Sequence, residues 1–306
     1  MIKLANTSLE VHPLCLGGNV FGFSADVANS ESVLDYYFDH GGNFIDTADM
    51  YSQWAPGHVG GESETIIGNW MKRRGNRSAM VIATKVAKLD TRPGLKPANI
   101  KAACDESLRR LQTDYIDLYY AHQDDPDTPI EATLGAFDSL IKEGKVRYIA
   151  ASNFTPERLE ESLNLAKQLG LSPYIAAQDQ YNLMDREYEK TLMPTLKANG
   201  LSQFPFYGLA RGFLTGKYRP GKTVESVRAN GVANSYANDR GWAMLEKLDQ
   251  IANAKAVSVA SIALAWLRAQ PTVVAPIASA TKLEQIREIM PIVELSAEEL
   301  QLLTNS

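Results

Sequence analysis

The sequence predicts an α/β fold, a (β/α)8 barrel of the TIM type that forms one domain over residues 1–306. Short apolar runs alternate with amphipathic helical patterns from one end of the chain to the other, as is typical of parallel βα units. Eight such units can be distinguished, and no change of composition divides them into two domains. A length of 306 residues is compatible with a single barrel.

The predicted strands are the short apolar runs, and segments with helical periodicity separate them. The strands are expected at residues 13–17, 43–47, 80–86, 115–122, 146–153, 175–181, 203–207 and 273–279. The helices between them are expected at residues 30–39, 63–74, 96–111, 129–142, 155–169, 187–198 and 258–269. Thr155 before Pro156 is a typical helix start. Gly144, Gly170 and Gly200 follow the ends of three helices, where left-handed caps form.

Three further segments are expected to decorate the barrel. Residues 3–10 predict a small N-terminal β-hairpin that closes the barrel bottom. Residues 217–240 are rich in Gly, Asn, Arg and Ser and predict a long loop on the C-terminal face, before a helix at 241–256. A loop of this length suggests a lid over a site. The chain from Leu295 onwards predicts a C-terminal helix, with Ser296 as its N-cap.

An open doubly wound sheet is the competing fold. It would normally carry a GxGxxG fingerprint after its first strand, but the first predicted strand leads into Gly17-Gly18-Asn19-Val20, which does not match. A P-loop is also excluded, because the glycine-containing segment 212–218 is one residue short and has no Ser or Thr after its lysine. The barrel is therefore favoured.

The composition, 45% hydrophobic and 22% charged, is that of an ordinary globular protein. A net charge of −5 and the lack of a Lys/Arg run argue against a nucleic-acid partner. The sequence shows neither a signal peptide nor a membrane-spanning run. Cys15 and Cys104 form no paired motif, which fits a reducing compartment. A cytoplasmic protein without membrane attachment is expected.

Candidate catalytic residues stand at the ends of the second, third and fourth predicted strands. Asp46 ends the second apolar run, Lys85 lies near the end of the third and His122 ends the fourth. Tyr51 follows in the loop after Asp46. Each alone has an ordinary explanation, such as a helix cap, a salt bridge or a packed ring. Because the C-terminal strand ends of a barrel converge on its active-site face, all four side chains are expected to lie together.

These four groups suit the reduction of a carbonyl compound by a nicotinamide hydride. The negative charge that develops on the carbonyl oxygen needs a proton donor, and Tyr51 can serve if a nearby cation stabilises its phenolate. Lys85 would be that cation, with Asp46 keeping it charged and oriented. A neutral His122 would hydrogen-bond to the carbonyl oxygen. The chemistry needs no metal, and the four histidines have no metal-binding spacing.

Six motifs extend this reading along the chain: FIDTADMY at 44–51, IATK at 82–85, DLYYAH at 117–122, GKVRYIAASNF at 144–154, QDQYNL at 178–183 and GFLTGKY at 212–218. With these motifs the sequence resembles the aldo-keto reductase family over nearly its whole length. The resemblance implies a (β/α)8 barrel that uses NADPH, with NADH also possible. It further implies the catalytic roles given above to Asp46, Tyr51, Lys85 and His122.

The resemblance also implies which residues contact the cofactor. Ser152 and Asn153 would bind the nicotinamide carboxamide with help from Gln178, and Phe206 would stack on the ring. Lys282 would meet the 2′-phosphate beside hydroxyl groups. The full expected set is Gly18, Asn19, Ser152, Asn153, Gln178, Phe206, Tyr207, Gly208, Leu209, Arg211, Gly212, Lys217, Ser279, Thr281, Lys282, Gln285 and Glu288.

Some positions depart from the family pattern. Ile289 stands where many members have an Asn that contacts the adenine, and Gly208 replaces a common Pro in the loop expected to follow the pyrophosphate. On the substrate side, Phe21 and Trp54 are expected to form walls of an apolar pocket. Asp49 gains no catalytic role and is interpreted as a loop or capping carboxylate.

The expected function is therefore an NADPH-dependent reductase of a small-molecule carbonyl substrate. A potassium-channel β-type regulatory subunit, which would bind NADPH, is the main alternative, because an intact set of four catalytic residues is compatible with both. The short segment before the first strand favours the free enzyme. A barrel aldolase with Lys85 as Schiff-base nucleophile is a third reading, and the cofactor-type residues in the second half of the chain argue against it.

Overall fold

A computed structural model of the chain describes residues 1–225 and 229–305. The strands are β1 (Ile2–Lys3), β2 (Glu10–Val11), β3 (Cys15–Gly17), β4 (Phe44–Asp46), β5 (Val81–Val86), β6 (Ile116–Ala121), β7 (Val146–Ser152), β8 (Tyr174–Gln178), β9 (Ser202–Gln203) and β10 (Ile277–Ala278). The α-helices are α1 (Val27–Asp39), α2 (Glu62–Arg74), α3 (Pro97–Leu111), α4 (Ile130–Lys142), α5 (Pro156–Leu169), α6 (Leu192–Asn199), α7 (Ala229–Tyr236), α8 (Asp239–Lys255), α9 (Val259–Arg268), α10 (Leu283–Ile289) and α11 (Ala297–Thr304).

Strands β3 to β10 form one parallel sheet that closes on itself. From β3 to β9 each strand pairs with the next along the chain, and β10 returns to pair with β3. The gap between β9 and β10 is bridged by pairing of Gln203 with Val273. The Ile277 amide also donates to the Pro205 carbonyl at 2.9 Å. The prediction of a (β/α)8 barrel of the TIM type is confirmed.

Two predicted strands are much shorter than expected. The run 203–207 yields only β9, and the run 273–279 yields only β10. Each run contains a proline, Pro205 or Pro276, which has no N–H to donate to a neighbouring strand. At this side of the barrel the apolar runs of the sequence are therefore longer than the strands that pair by hydrogen bonds.

One predicted helix, at residues 187–198, is divided. A 3-10 turn at Glu187–Glu189 precedes α6, which begins at Leu192. Pro194 is tolerated in the first turn of α6, but in a helix running from residue 187 its ring would clash with the carbonyl of Lys190. The helix therefore starts later than the periodicity indicates.

The decorations are those expected, with one exception. Strands β1 and β2 form the antiparallel hairpin, and Ser296 caps α11 in a reciprocal capping box with Glu299. Residues 217–240, predicted as one loop, contain the helix α7. That part of the prediction is wrong, and residues 226–228 of the segment lie outside the described residues.

The barrel interior is filled by side chains from alternate strand positions. The rings of Phe44 and Phe204 meet edge to face at 5.0 Å, and Leu4 and Leu9 of the hairpin segment belong to the same buried cluster. The interior is thus closed at the N-terminal side, and the opposite face is where such barrels carry their active sites. No single helix among the described residues has the length and apolar character to cross a membrane; α8 and α9 taken together do, with a bend of 99° between them.

Candidate active site

Adjacent strands bring Asp46 and Lys85 together. Asp46 is the last residue of β4 and pairs with Ala83 of β5. Lys85 lies two residues beyond Ala83, so both side chains point into the barrel from the same end. His122 follows the last residue of β6 directly. The three strand-end residues therefore converge on the C-terminal face.

The Lys85 ammonium is fully buried and makes three hydrogen bonds. Its Nζ donates to Asp46 Oδ2 at 2.6 Å, to the Thr47 carbonyl at 2.7 Å and to the Tyr51 hydroxyl at 3.0 Å. Burial lowers the pKa of Lys85, while the Asp46 carboxylate acts in the opposite direction. A lysine held in this way is a fixed charge rather than a free nucleophile, which disfavours the aldolase reading.

Tyr51 lies between the two charges. Its hydroxyl accepts from Lys85 Nζ and donates to Asp46 Oδ2 at 3.2 Å. Ser52, which follows it, has a left-handed φ of 78°, and its hydroxyl donates to the Phe21 carbonyl at 2.9 Å. This bond fixes the turn and therefore the direction of the phenol.

The environment keeps Tyr51 protonated. Burial, and after it the negative charge of Asp46, raises the pKa of the Tyr51 hydroxyl well above its usual value of 10.0. Lys85 was expected to stabilise the phenolate, and it is within hydrogen-bond distance to do so, but the ammonium is already shared with Asp46. At neutral pH the phenol is an acid with its proton in place.

His122 faces the cleft beside Tyr51. The two rings meet edge to face with their centroids 6.1 Å apart. Burial, followed by the positive charges of Lys85 and Lys88, lowers the pKa of His122 well below 6.5. The imidazole is therefore neutral at pH 7, and one of its nitrogens carries a proton that it can donate.

The amide and hydroxyl groups expected near the nicotinamide form a connected set. Asn153 Nδ2 donates to the His122 carbonyl and to Ser152 Oγ, each at 2.9 Å. Ser152 Oγ donates to the Gln178 carbonyl at 2.8 Å. Gln178 Nε2 donates to Asp46 Oδ1 at 2.8 Å. Gln178 thus holds the oxygen of Asp46 that Lys85 does not use, a contact that the sequence did not indicate.

A cleft of about 850 Å³ connects these residues with the end of the barrel near α10. Its size is in the range of ligand sites. Tyr51 and His122 line one end, with Asp46 beside them. Its lining includes these expected cofactor residues: Asn19, Ser152, Asn153, Gln178, Phe206, Tyr207, Gly208, Leu209, Arg211, Gly212, Lys217, Ser279, Thr281, Lys282, Gln285 and Glu288.

The loop after β9 has an unusual backbone. Tyr207, Ala210 and Arg211 have positive φ values of 54°, 47° and 57° although none is glycine. Such conformations are strained and are often found at ligand sites. The Arg211 guanidinium lies 5.0 Å from the Tyr207 ring centroid, and its Nε is buried with no hydrogen-bond partner in the described part of the chain. The Arg211 cation and the unusual backbone of this loop are thus suited to binding an anionic group.

The far end of the cleft combines one exposed cation with polar and acidic groups. Ser279 Oγ donates to Asn19 Oδ1 at 2.6 Å, which links the last strand end to the first. Lys282 stands exposed just before α10. The carboxylates of Glu284 and Glu288 line the same end. These groups could hold a cofactor phosphate, with the lysine as its partner.

Two expected site residues do not line the cleft. A Cβ on Gly18 would lie 2.8 Å from Ser63 Oγ of α2, so this glycine faces a helix. Phe21 is fully buried in the hydrophobic core, because the chain turns between Phe21 and Ala25, which form a bridge. The expectation that Phe21 forms a wall of the pocket is therefore wrong, whereas the expected cofactor contact of Gly18 stays a prediction. Trp54 does line the cleft and is 44% exposed.

Two charged residues were missed or misread. Lys88 lines the cleft near Tyr51, and the only signal for it was its position three residues after Lys85. Asp49 is buried, and neither carboxylate oxygen has a hydrogen-bond partner among the described residues. Burial and the nearby Glu64 raise the pKa of Asp49 to about 7. Asp49 is thus a loop residue, one of the two expected interpretations, but its carboxylate does not cap any of the described helices.

The fold and the site together define a (β/α)8-barrel protein with acid–base groups at its strand ends. A model of the aldo/keto reductase family matches residues 13–306. The chain belongs to the aldo/keto reductase family.

Curated relatives cover nearly the whole chain. The uncharacterized oxidoreductase YrpG of Bacillus subtilis is 33% identical over 96% of this chain and 90% of its own length. Norsolorinic acid reductase of Aspergillus flavus is 31% identical over 94% of this chain and 75% of its own length. A probable voltage-gated potassium channel subunit beta of Arabidopsis thaliana is 32% identical over 96% and 90%. The family thus includes proteins named for redox chemistry and for a channel.

Proposed function

We propose that the protein is an NADPH-dependent oxidoreductase that reversibly reduces an aldehyde or a ketone to an alcohol, with Tyr51 as the proton donor. The observation that carries the proposal is the Tyr51 hydroxyl at the cleft, 3.0 Å from Lys85 Nζ and 3.2 Å from Asp46 Oδ2. Bound NADPH would supply the hydride to the carbonyl carbon. The chain itself orients the substrate and supplies the proton.

The proton comes from Tyr51 in the direction of reduction. Since its pKa is raised, the phenol is protonated at neutral pH. When its proton moves to the carbonyl oxygen, the phenolate forms 3.0 Å from the Lys85 ammonium, which stabilises it. Asp46 keeps Lys85 in place, and Gln178 keeps Asp46 in place. In the reverse reaction the phenolate accepts the proton of the alcohol.

His122 positions the substrate in this scheme. A neutral imidazole beside Tyr51 donates a hydrogen bond to the carbonyl oxygen without competing as an acid. Two donors then meet at one oxygen, and the carbonyl carbon faces the side of the cleft lined by Ser152, Asn153 and Phe206.

NADPH is proposed over NADH because of the cations along the cleft. Arg211, Lys217 and Lys282 all line it. In this proposal Lys282 binds the 2′-phosphate, which NADH does not have. Glu284 and Glu288 reduce the positive potential there, so binding of NADH is also expected, with lower affinity.

The proposed location is the cytoplasm and the proposed partner is a small-molecule carbonyl compound. Cys15 and Cys104 are both buried free thiols, a state that fits a reducing compartment.

Replacement of Tyr51 by Phe tests the proposed function. Removal of the hydroxyl leaves the ring and the cleft intact, so NADPH binding should change little, while turnover of any carbonyl substrate should fall about 10²- to 10⁴-fold, the contribution of a general acid. Steady-state kinetics and fluorescence titration with NADPH measure the two effects. Turnover equal to that of the unmodified protein would disprove the role of Tyr51.

The potassium-channel relatives support a second candidate, an NADPH-binding regulatory subunit. Stopped-flow mixing of the NADPH complex with a panel of aldehydes and ketones distinguishes the two. Oxidation of the bound cofactor at a rate that depends on the carbonyl supports the enzyme. No oxidation by any member of the panel, together with specific recovery of a membrane channel in a pulldown, supports the regulatory subunit.

A further inference from the structure

Lys88 stands at the substrate end of the cleft. It lies three residues after Lys85, in the loop between β5 and α3, and lines the cleft with Tyr51, Trp54 and His122. The cofactor-type residues Ser279 and Lys282 lie at the other end, after β10. The position of Lys88 therefore relates to the molecule that is reduced.

The backbone of Lys88 is held against the loop that carries Tyr51. Gln53 Nε2 donates to the Lys88 carbonyl at 3.3 Å and to Asp90 Oδ1 at 3.3 Å. The Asp90 amide in turn donates to Gln53 Oε1 at 3.1 Å. The Lys88 backbone is thus held at a fixed position relative to Tyr51. A residue that determines substrate preference needs such a fixed position.

The Lys88 ammonium has no ion-pair partner among residues 1–225 and 229–305. The carboxylate that acts on it through space is Asp179. Burial raises the pKa of Asp179 itself to about 7, and its Oδ2 has no hydrogen-bond partner in the described chain. Asp179 is therefore only partly ionised at neutral pH and forms no ion pair with Lys88 among the described residues, so it compensates the Lys88 charge only in part.

No other group at this end of the cleft supplies a compensating charge. Asp46 is matched by Lys85, and His122 is neutral. Burial, with the repulsion of Lys85, lowers the pKa of Lys88, which shows that its surroundings disfavour an uncompensated cation. A half-buried ammonium that lines a cleft without a partner is stabilised when an anion binds.

We propose that the substrate of this enzyme carries a carboxylate in addition to its carbonyl group, and that Lys88 binds that carboxylate. This inference rests on the proposed function and specifies its substrate class. The carboxylate is chosen because its single charge is the one that a single ammonium neutralises. Among the described residues that line the cleft, the other cations are Arg211, Lys217 and Lys282, which lie toward the cofactor end.

Paired substrates test the proposal. Straight-chain aldehydes that end in a carboxylate, in a graded series of chain lengths, are compared with their methyl esters as NADPH-dependent substrates of the full chain. For the best chain length, kcat/KM of the acid should exceed that of its ester, and Lys88→Met should lower kcat/KM of the acid about 10- to 100-fold through KM. The ester should change less than threefold, which also shows that the variant is folded.

Two further variants serve as controls. Lys88→Arg keeps the charge and should retain most of the preference for the acid. Lys101→Met removes an exposed lysine of α3 and should leave both substrates unchanged. Higher salt should reduce kcat/KM for the acid and not for the ester, because it screens the charge pair.

The outcomes separate this inference from the proposed function. Reduction of esters and acids with equal efficiency, or an equal loss for both in Lys88→Met, would overturn the role of Lys88 and leave the reductase intact. A stronger dependence on Lys88 for phosphorylated aldehydes than for the oxo acids would overturn the choice of carboxylate. Failure to reduce any member of either series would refute the proposed function, and this inference with it.

Discussion

Replacement of Asp49 by Asn should make the stability of the protein less dependent on pH. The carboxyl group is 1% exposed, and burial with the nearby Glu64 raises its pKa from 3.8 to about 7. Arg110 and Arg92 act in the opposite direction, but Arg110 is already paired with Glu64 at 2.6 Å. The ionised carboxylate is therefore poorly compensated in the folded state.

The size of the effect follows from the two pKa values. The unfolded chain releases the proton near pH 3.8 and the folded chain releases it near pH 7. Between these values the unfolded state binds fewer protons, so the free energy of unfolding falls as pH rises. Each pH unit is worth about 1.4 kcal/mol, so the carboxylate destabilises the fold by about 4 kcal/mol above pH 7, and most of this loss builds up between pH 5 and 7.

Urea denaturation at pH 5, 6, 7 and 8 measures the effect, provided that unfolding is reversible. The difference in unfolding free energy between Asp49→Asn and the unmodified protein should rise by about 2–3 kcal/mol from pH 5 to pH 8. The rise is more informative than the absolute difference, because the new amide also lacks partners at every pH. Asp114→Asn, at an exposed aspartate, is the matched control and should give a constant difference. A constant difference for Asp49→Asn as well would refute the reasoning.

Two other substitutions test the cofactor end and the support of the acid group. Lys282→Ala should weaken NADPH binding at least tenfold and NADH binding little, because only NADPH has the 2′-phosphate; equal weakening in fluorescence titrations would place that phosphate elsewhere. Gln178→Leu should lower kcat about tenfold, the effect of one lost hydrogen bond to a charged group, since Asp46 loses its 2.8 Å contact. Gln178→Glu should lower kcat further, because it places a second carboxylate beside Asp46. An unchanged kcat in both variants would show that Lys85 alone holds Asp46.

The strand-end part of the site could be predicted from the sequence because it depends only on the alternation of strands and helices and on their order along the chain. Asp46, Lys85 and His122 each stand at the end of an apolar run, and parallel strands bring such ends to one face. The link between Gln178 and Asp46 could not be predicted, because it joins residues 132 positions apart. The sequence indicates that the Gln178 amide lies near the site, but not which neighbouring side chain it hydrogen-bonds.

The errors have physical causes of the same kind. Phe21 was expected in the pocket wall because aromatic residues follow the first strand, but the chain turns there and Val20 takes the cleft position. Helix α7 was missed because its sequence, ANGVANSY, is poor in helix formers. It is held by packing of Val232 and Tyr236, which are buried. Local sequence does not report either of these tertiary effects.

The Gln53 bridge makes the two substrate-side loops a single unit for engineering. One loop supplies Tyr51 and Trp54, the other supplies Lys88, and three hydrogen bonds through one side chain join them. A loop transplanted alone from a relative would lose this brace and shift the acid group relative to the walls of the pocket. Exchange of substrate preference between members of the family should therefore succeed when both loops are transferred as a pair.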